Sequence, residues 1–434
     1  MINYAYLRAH KSENLKNREE AEFIKKEALL AQSFNNATIL PLKRTDDCNL
    51  LFGFGGVIDE NGSYIDISGI PGRVGGFYPF ECTEIRNETV VYCGYFIKHW
   101  GHFLLESVSR LWYWFENDEA IDKYIFFVNE DDPLQFSGNY LRFLELLNIA
   151  DKVEIINKPI QYRKVIVPEL GYYRMHYYSD QYKKIFERVV LNALIQRKTI
   201  PEEKRIYFSR SHFKKALKSE IGIEFLDHYF MKNGFKILYP EELSLEEMIT
   251  YIHNADICVT PSGTLPHNML FAQDMKKTII IERTALINEM QIDVDRIKDL
   301  DTTYIDGHWL IYPGLSGGGP FCYAYTRQFA KFTSDYKFED PDRFYTSNNY
   351  HKKCLRNFIK THKAFFGYDW GMEEWATIYA KEICEAHKET VEDLNEYITR
   401  RKPFLLKHYL QLHYIKRIIK RLMSFCNESV KEFL

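Results

Sequence analysis

Hydrophobic and polar positions divide the chain into short apolar runs and longer amphipathic ones. Residues 89–93 (TVVYC) read as a buried strand that Gly94 ends, and Gly101 opens a helix. On that helix Leu104, Val108, Leu111 and Phe115 form an apolar stripe, with Leu105 and Trp112 alongside. His102, Glu106 and Arg110 follow at four-residue steps on the opposite face, with Ser109 nearby. Strands are predicted at 123–128, 153–156 and 164–167, and helices at 140–148 and 182–195. A polar stretch with a proline, 198–204, closes this half. The alternation then restarts, with strands at 205–209, 235–239, 256–260 and 278–281. Helices are predicted at 223–233, 244–253 and 266–273, and Ser244 with Glu247 spells a capping box. Strands alternating with helices predict mostly parallel, doubly wound sheets, and so an α/β protein of two Rossmann-like units. Facing units of that kind leave a cleft at the carboxyl ends of their strands.

Outside these halves the pattern is simpler. Charge and Ala/Leu at helical spacing over 11–32 predict a surface helix. Glycine pairs between 49 and 95 (FGFGG, IPG, VGG) predict turns between short strands. A long helix is predicted at 373–399. The tail from Pro403 is amphipathic, with Lys416, Arg417, Lys420 and Arg421 along one stripe. That tail suits either an anionic membrane surface or docking on the fold. The expected units are 1–197, 198–340, and a helical C-terminal extension, 341–434, carrying the basic tail.

Composition narrows the function. A length of 434 residues exceeds one ordinary core, and a net charge of −3 argues against a general nucleic-acid binder. Eight scattered cysteines without a CxxC pair predict a reducing compartment. The N-terminus has no apolar signal region, and no run is long enough to span a bilayer, so a cytoplasmic protein is expected.

Candidate chemistry concentrates at two strand ends. Arg205 and Arg210, followed by His212 and Lys214, bracket the strand RIYFS, where guanidinium and ammonium groups can grip a diphosphate. After strand 256–260 comes PSGTLPHN. There Gly263 lets the backbone approach a ligand, and Ser262, Thr264, His267 and Asn268 add side-chain donors at a helix start. Together these predict a nucleotide or nucleotide-sugar site. On the other side, Tyr173 and His176 in GYYRMHYY can stack on an acceptor sugar or simply pack at a rim. His99-x-x-His102 with Glu106 lacks the HExxH order of a zinc helix. Asp293-Val-Asp295 spells a metal-nucleotide DxD but lies in a polar run that reads as solvated surface. No metal cofactor is expected.

The words HWGHFLLESVSRLW and RIYFSR, followed by NGFKILYPEELSLEEMITYIHNADICVTPSGTLPHNMLF, resemble glycosyltransferase family 61, especially its bacterial capsule-biosynthesis branch. The resemblance covers about 89–283 and implies a GT-B-like arrangement and an inverting transfer. The sugar would pass from a nucleotide-sugar to a polysaccharide or glycolipid acceptor, at the inner face of a cell membrane. It places Arg205, Arg210, Ser262, Gly263, His267 and Asn268 at the donor. Glu224 falls where the family often has an acidic residue, with GIE replacing the usual Asn-Glu pair. His102, Glu106 and Arg110 match the acceptor-side motif. His102 is then the expected base, with Glu106 holding its tautomer and Arg110 orienting Glu106; a plain Glu106–Arg110 helix pair is the alternative. A sugar-phosphate transferase or an inactive glycan-binding scaffold are the rival functions.

Overall fold

A computed structural model describes residues 2–8, 11, 23–44, 52–116, 119–197, 201–213, 220–284, 287–309 and 320–365. The first strand, β1 (Ile2–Tyr6), leaves the N-terminal half at once and pairs in parallel with a strand near residue 303. The boundary expected at 1–197 therefore does not hold for these residues.

The N-terminal sheet is built from β2 (Ala31–Arg44), β3 (Gly53–Ile58), β4 (Glu84–Tyr95), β5 (Lys123–Phe127), β6 (Val153–Ile156) and β7 (Ile160–Pro168), in the order β3-β2-β7-β4-β5-β6. β4 to β7 run parallel, but β2 is antiparallel to both β7 and β3. The sheet is thus mixed: the mostly parallel pairing expected holds from β7 to β6, and β2 and β3 add an antiparallel edge. Ala31 and Gln32, assigned above to a surface helix, begin β2. Ile24 in that stretch bridges to Tyr178 instead of coiling. Strand pairing along eight positions of β7 outweighs the local helical spacing. Residues 12–22 of that prediction lie outside the described residues, as do 373–399 and the tail from 403. Gly94 does not end its strand: it sits inside β4 at a register shift, with φ +95°.

After β4 come α1 (Trp100–Leu105), a 3-10 helix (Ser107–Phe115), α2 (Asn139–Leu146) and α3 (Asp180–Gln196), which follows the hairpin β8 (Tyr172–Tyr173) and β9 (Tyr177–Tyr178). The C-terminal sheet is parallel throughout. It contains β10 (Arg205–Phe208), β12 (Lys236–Leu238), β13 (Ile257–Pro261), β14 (Lys277–Glu282) and β15 (Asp301–Asp306), in the order β1-β15-β14-β13-β10-β12. A short pair, β11 (Glu220–Ile221) with β16 (Phe321–Cys322), caps its edge. One face is covered by α4 (Ile223–Lys232), α7 (Arg327–Asp335) and α8 (Asn348–Phe365). The other carries α5 (Leu245–Asn254), a 3-10 helix (Leu265–Phe271) and α6 (Glu289–Ile297). The capping box at Ser244 and Glu247 is present.

The two halves share one core. Apolar side chains of α1, α2 and α3 form a continuous buried cluster with Leu245, Ile249, Phe271 and Val294. Phe271 of the second half contacts Phe186 of α3 at 5.8 Å between ring centroids. Fully burying a side chain of this size contributes about 1.5–3 kcal/mol.

Candidate active site

Strand order locates the crevice. From β10 the chain moves outward to β12, then crosses to β13 on β10's other side and continues to β14 and β15. The carboxyl ends of β10 and β13 therefore flank a topological switch point, where open α/β sheets bind ligands. Arg210 stands just past β10 and Ser262–Thr264 just past β13. Arg205 does not join them. It opens β10 at the opposite edge of the sheet, with its guanidinium over the rings of Phe235 (4.4 Å) and Phe338 (5.1 Å). Its donor assignment is corrected on that ground: a strand's two ends face opposite edges of the sheet, and Arg205 opens β10 while Arg210 follows it.

Arg210 Nε donates to Glu220 Oε1 at 2.5 Å, Arg283 Nη1 donates to the same oxygen at 2.6 Å, and the Tyr323 hydroxyl donates to Glu220 Oε2 at 2.8 Å. Two guanidiniums on one carboxylate leave an excess positive charge beside the loop. A Cβ on Gly263, whose φ is +122°, would lie 2.3 Å from Arg283 Nη2, so only glycine lets that guanidinium approach. Burial lowers the Arg283 pKa, but Tyr323 and Glu220 outweigh it and raise the group. Arg283 and Glu220 were not among the predicted site residues. Glu224, which was, is exposed on the first turn of α4, and the carboxylate that faces the arginines is Glu220, four residues earlier. Lys214 lies outside the described residues.

The loop after β13 meets α1 directly. His99 Nε2 lies 3.5 Å from Thr264 Oγ1, and Trp100 Nε1 donates to Asn268 Oδ1 at 2.8 Å. A Cβ on Gly101 would fall 2.6 Å from His267 Cδ2, so glycine there is what lets the helix seat on the imidazole. Ser262, His267 and Asn268 are buried. Burial, opposed by a hydrogen bond with Gln291, lowers His267 to about 4. Trp100, Gly101 and His102 from one half thus converge with Thr264, His267 and Asn268 from the other.

On α1, His102 Nδ1 hydrogen-bonds Glu106 Oε2. Arg110 does not orient Glu106. The α-helix stops at Leu105, and the 3-10 turns that follow rotate position 110 by about 120° from position 106. Along these turns Ser107 accepts from Ile97 N and Ser109 from Tyr172 N, each at 2.9 Å. Arg110 is buried and donates to the carbonyls of Pro168, Ile67 and Gly69, so its acceptor-side assignment is also corrected. Arg73, from the loop before β4, takes the expected place, with Nε donating to Glu106 Oε1 at 2.5 Å. Burial pushes the Glu106 pKa up, but the His102 hydrogen bond and the Arg73 charge bring it below the usual carboxylate value.

Beside this group is a cavity of about 280 Å³, lined by Arg73, Glu106, Tyr172, Tyr173, Arg174 and His176 among others. Tyr173 and His176 are stacked on each other, 4.1 Å between ring centroids. The DxD aspartates are not solvated, as expected above, but buried in α6. Asp293 Oδ2 accepts from the Tyr172 hydroxyl (2.6 Å) and Met175 N (2.9 Å). Asp295 accepts from Tyr304 and Gln291. Burial raises Asp293 to about 6 and Asp295 to about 7, the hydrogen bonds opposing it in both. Among the described residues no cluster of three or more His, Cys, Asp or Glu side chains has a metal-binding arrangement, and no helix is long and apolar enough to cross a membrane.

No curated protein matches the chain. Residues 100–281 match the family model described as Glycosyltransferase 61, a segment that spans α1, the hairpin, Arg210, Glu220 and the loop 262–268 but stops short of Arg283 and leaves out Arg73. By that domain the chain is an enzyme of the glycosyltransferase class.

Proposed function

We propose that the chain transfers a sugar, with inversion, from a nucleotide-sugar to a glycan acceptor, between two α/β units facing one another in the GT-B manner. The observation that carries this reading is the meeting of α1 with the loop at the switch point. It sets the helix that bears the His102–Glu106 pair, with its cavity of about 280 Å³, against the loop that Arg283 approaches. Arg210, Arg283 and the 262–268 loop hold the donor diphosphate and stabilise the charge that develops on it as it leaves. Tyr173 and His176 offer an aromatic wall to the acceptor.

The Nδ1–H of His102 donates to Glu106, which leaves Nε2 with a lone pair. That nitrogen takes the proton from the acceptor hydroxyl as its oxygen attacks the anomeric carbon, and the nucleoside diphosphate departs from the opposite face. Arg73 holds Glu106 in place. The Asp293 and Asp295 carboxylates accept from Tyr172, Met175, Gln291 and Tyr304. The acceptor is a bacterial surface polysaccharide or glycolipid, reached from the cytoplasmic face of the membrane, with residues 403–425 as the contact.

A transfer and donor-hydrolysis assay across UDP-, GDP- and CMP-sugars tests the reading. Turnover with at least one donor is expected; absence of both turnover and nucleotide binding overturns it. His102→Ala should lower kcat by about 10²–10⁴-fold with donor binding intact. Release of the chain from anionic liposomes on deleting 403–434 checks the membrane contact.

A further inference from the structure

The carboxylate of Asp295 is linked to the cleft by a chain of hydrogen bonds that ends on His267. The Tyr304 hydroxyl donates to Asp295 Oδ2 at 2.6 Å, and Gln291 Nε2 donates to Asp295 Oδ1 at 2.9 Å. With its nitrogen committed to a carboxylate, the Gln291 amide must present its oxygen in the other direction. That oxygen, Oε1, lies 3.0 Å from His267 Nδ1. An amide oxygen only accepts, so His267 Nδ1 carries the proton. A second contact agrees. Asn288 Oδ1 is occupied as the N-cap of α6, accepting from Met290 N at 3.1 Å, so its Nδ2 is the group 3.3 Å from His267 Nε2. Nε2 is therefore the lone-pair nitrogen. Burial keeps the ring neutral at neutral pH.

The Cδ2–Nε2 edge of this ring is the surface on which Gly101 rests: a Cβ there would meet Cδ2 at 2.6 Å and Nε2 at 3.3 Å. Gly101 belongs to the short helix that carries His102. A cationic or rotated imidazole would bring an N–H against that backbone and shift the helix.

We propose that Asp295, acting through Gln291, is a positioning residue of the transfer reaction: it fixes His267 as the Nδ1–H tautomer and so fixes the seat of the helix that bears His102. The same ring in a merely packed core would make the same contacts but would not govern turnover. The proposal rests on the transferase reading above.

The test combines nitrogen NMR of the imidazoles with kinetics on the full chain, using the signal lost in His267→Gln to assign the ring. The wild type should show the neutral Nδ1–H form at pH 7. Gln291→Met, which keeps the length and removes the acceptor, should give a mixed or Nε2–H tautomer. It should also lower kcat by about 10- to 100-fold, as a small displacement of a reacting group does, with donor KM within about twofold. Asp295→Asn, which no longer forces the Gln291 amide into one orientation, should give the same mixed tautomer and the same fall in kcat; it tests Asp295 directly and decides the case if Gln291→Met fails to fold. A wild-type Nε2–H or cationic His267 overturns the relay. A tautomer that follows Gln291 while kcat does not move overturns the positioning role. If no sugar is transferred at all while the tautomer responds as stated, the transferase reading fails and the relay stands.

Discussion

The two sides of the cleft proposed above, one for the donor and one for the acceptor, are built on different principles. The donor side stands on a parallel sheet, where the ligand-facing groups follow the carboxyl ends of successive strands and are close together in sequence, as in Ser262–Asn268. The acceptor side stands on a mixed sheet, and its groups come from a loop at Arg73, a helix at His102–Glu106 and a hairpin at Tyr172–His176. A parallel sheet ties function to strand ends by geometry, so alternation points to the strand-end loops, though not to Glu220 and Arg283 beside them. A mixed sheet with antiparallel strands imposes no such rule, and its site is assembled by long-range packing.

The shared core is where this contrast can be broken most forcefully. Phe271→Ala should cost about 3–5 kcal/mol, and because Phe271 packs against Phe186 of the other half, unfolding should remain one transition at a lower Tm. Two separated transitions in calorimetry would show that the halves fold independently. The next largest effect separates the two arginines of the donor side. Arg283→Gln should raise donor KM by about 10- to 100-fold, or about 1.4–2.7 kcal/mol. Arg205→Gln, at the far end of β10, should leave donor KM within about twofold. Equal effects on KM would return Arg205 to the site.

On the acceptor side, Tyr173→Ala removes one ring of a stacked pair. It should raise acceptor KM by about 10-fold, a loss of about 1.4 kcal/mol, with donor KM unchanged. A change in donor KM alone would move the cavity to the other substrate. A last effect, read as a change of Tm with pH, concerns the contact between α6 and the hairpin. The carbonyl oxygen of Asp293→Asn can still accept from Tyr172 and Met175, so the variant removes charge and little else. The Asp293 pKa is raised to about 6 in the folded chain, chiefly by burial, against about 3.9 unfolded. The folded state therefore binds more protons across that interval, and this group's contribution to stability falls as pH rises from about 4 to about 6. The Tm of the variant relative to wild type should rise by a few degrees over that window and level off above it; a flat difference would place the carboxylate in a solvated setting.

How much was legible from the residues differs element by element. The second-half alternation, the capping box and the PSGTLPHN turn rest on local periodicity and turn chemistry, and all were readable. The helix predicted over 11–32 was wrong over the described residues 23–32, because β-pairing with β7 overrides helical spacing at Ala31 and Gln32. Asp293 and Asp295 looked solvated because polar residues usually are. Only the hairpin and Tyr304 packed above α6 bury them.

The sequence alone determined the α/β character of the second half, the candidate turn at the switch point, and the His102–Glu106 pair, since each depends on residues within a few positions of one another. Tertiary structure decided that Arg73 rather than Arg110 holds Glu106, and that Glu220 and Arg283 stand together beside the switch-point loop. Glu106 and Arg73 are 33 residues apart, and Glu220 and Arg283 are 63 apart. No local pattern encodes such contacts: they exist only once burial has chosen which faces of the two sheets meet. The 3-10 winding after Leu105 turns Arg110 into the core, where its partners, the carbonyls of Ile67, Gly69 and Pro168, are likewise distant in sequence.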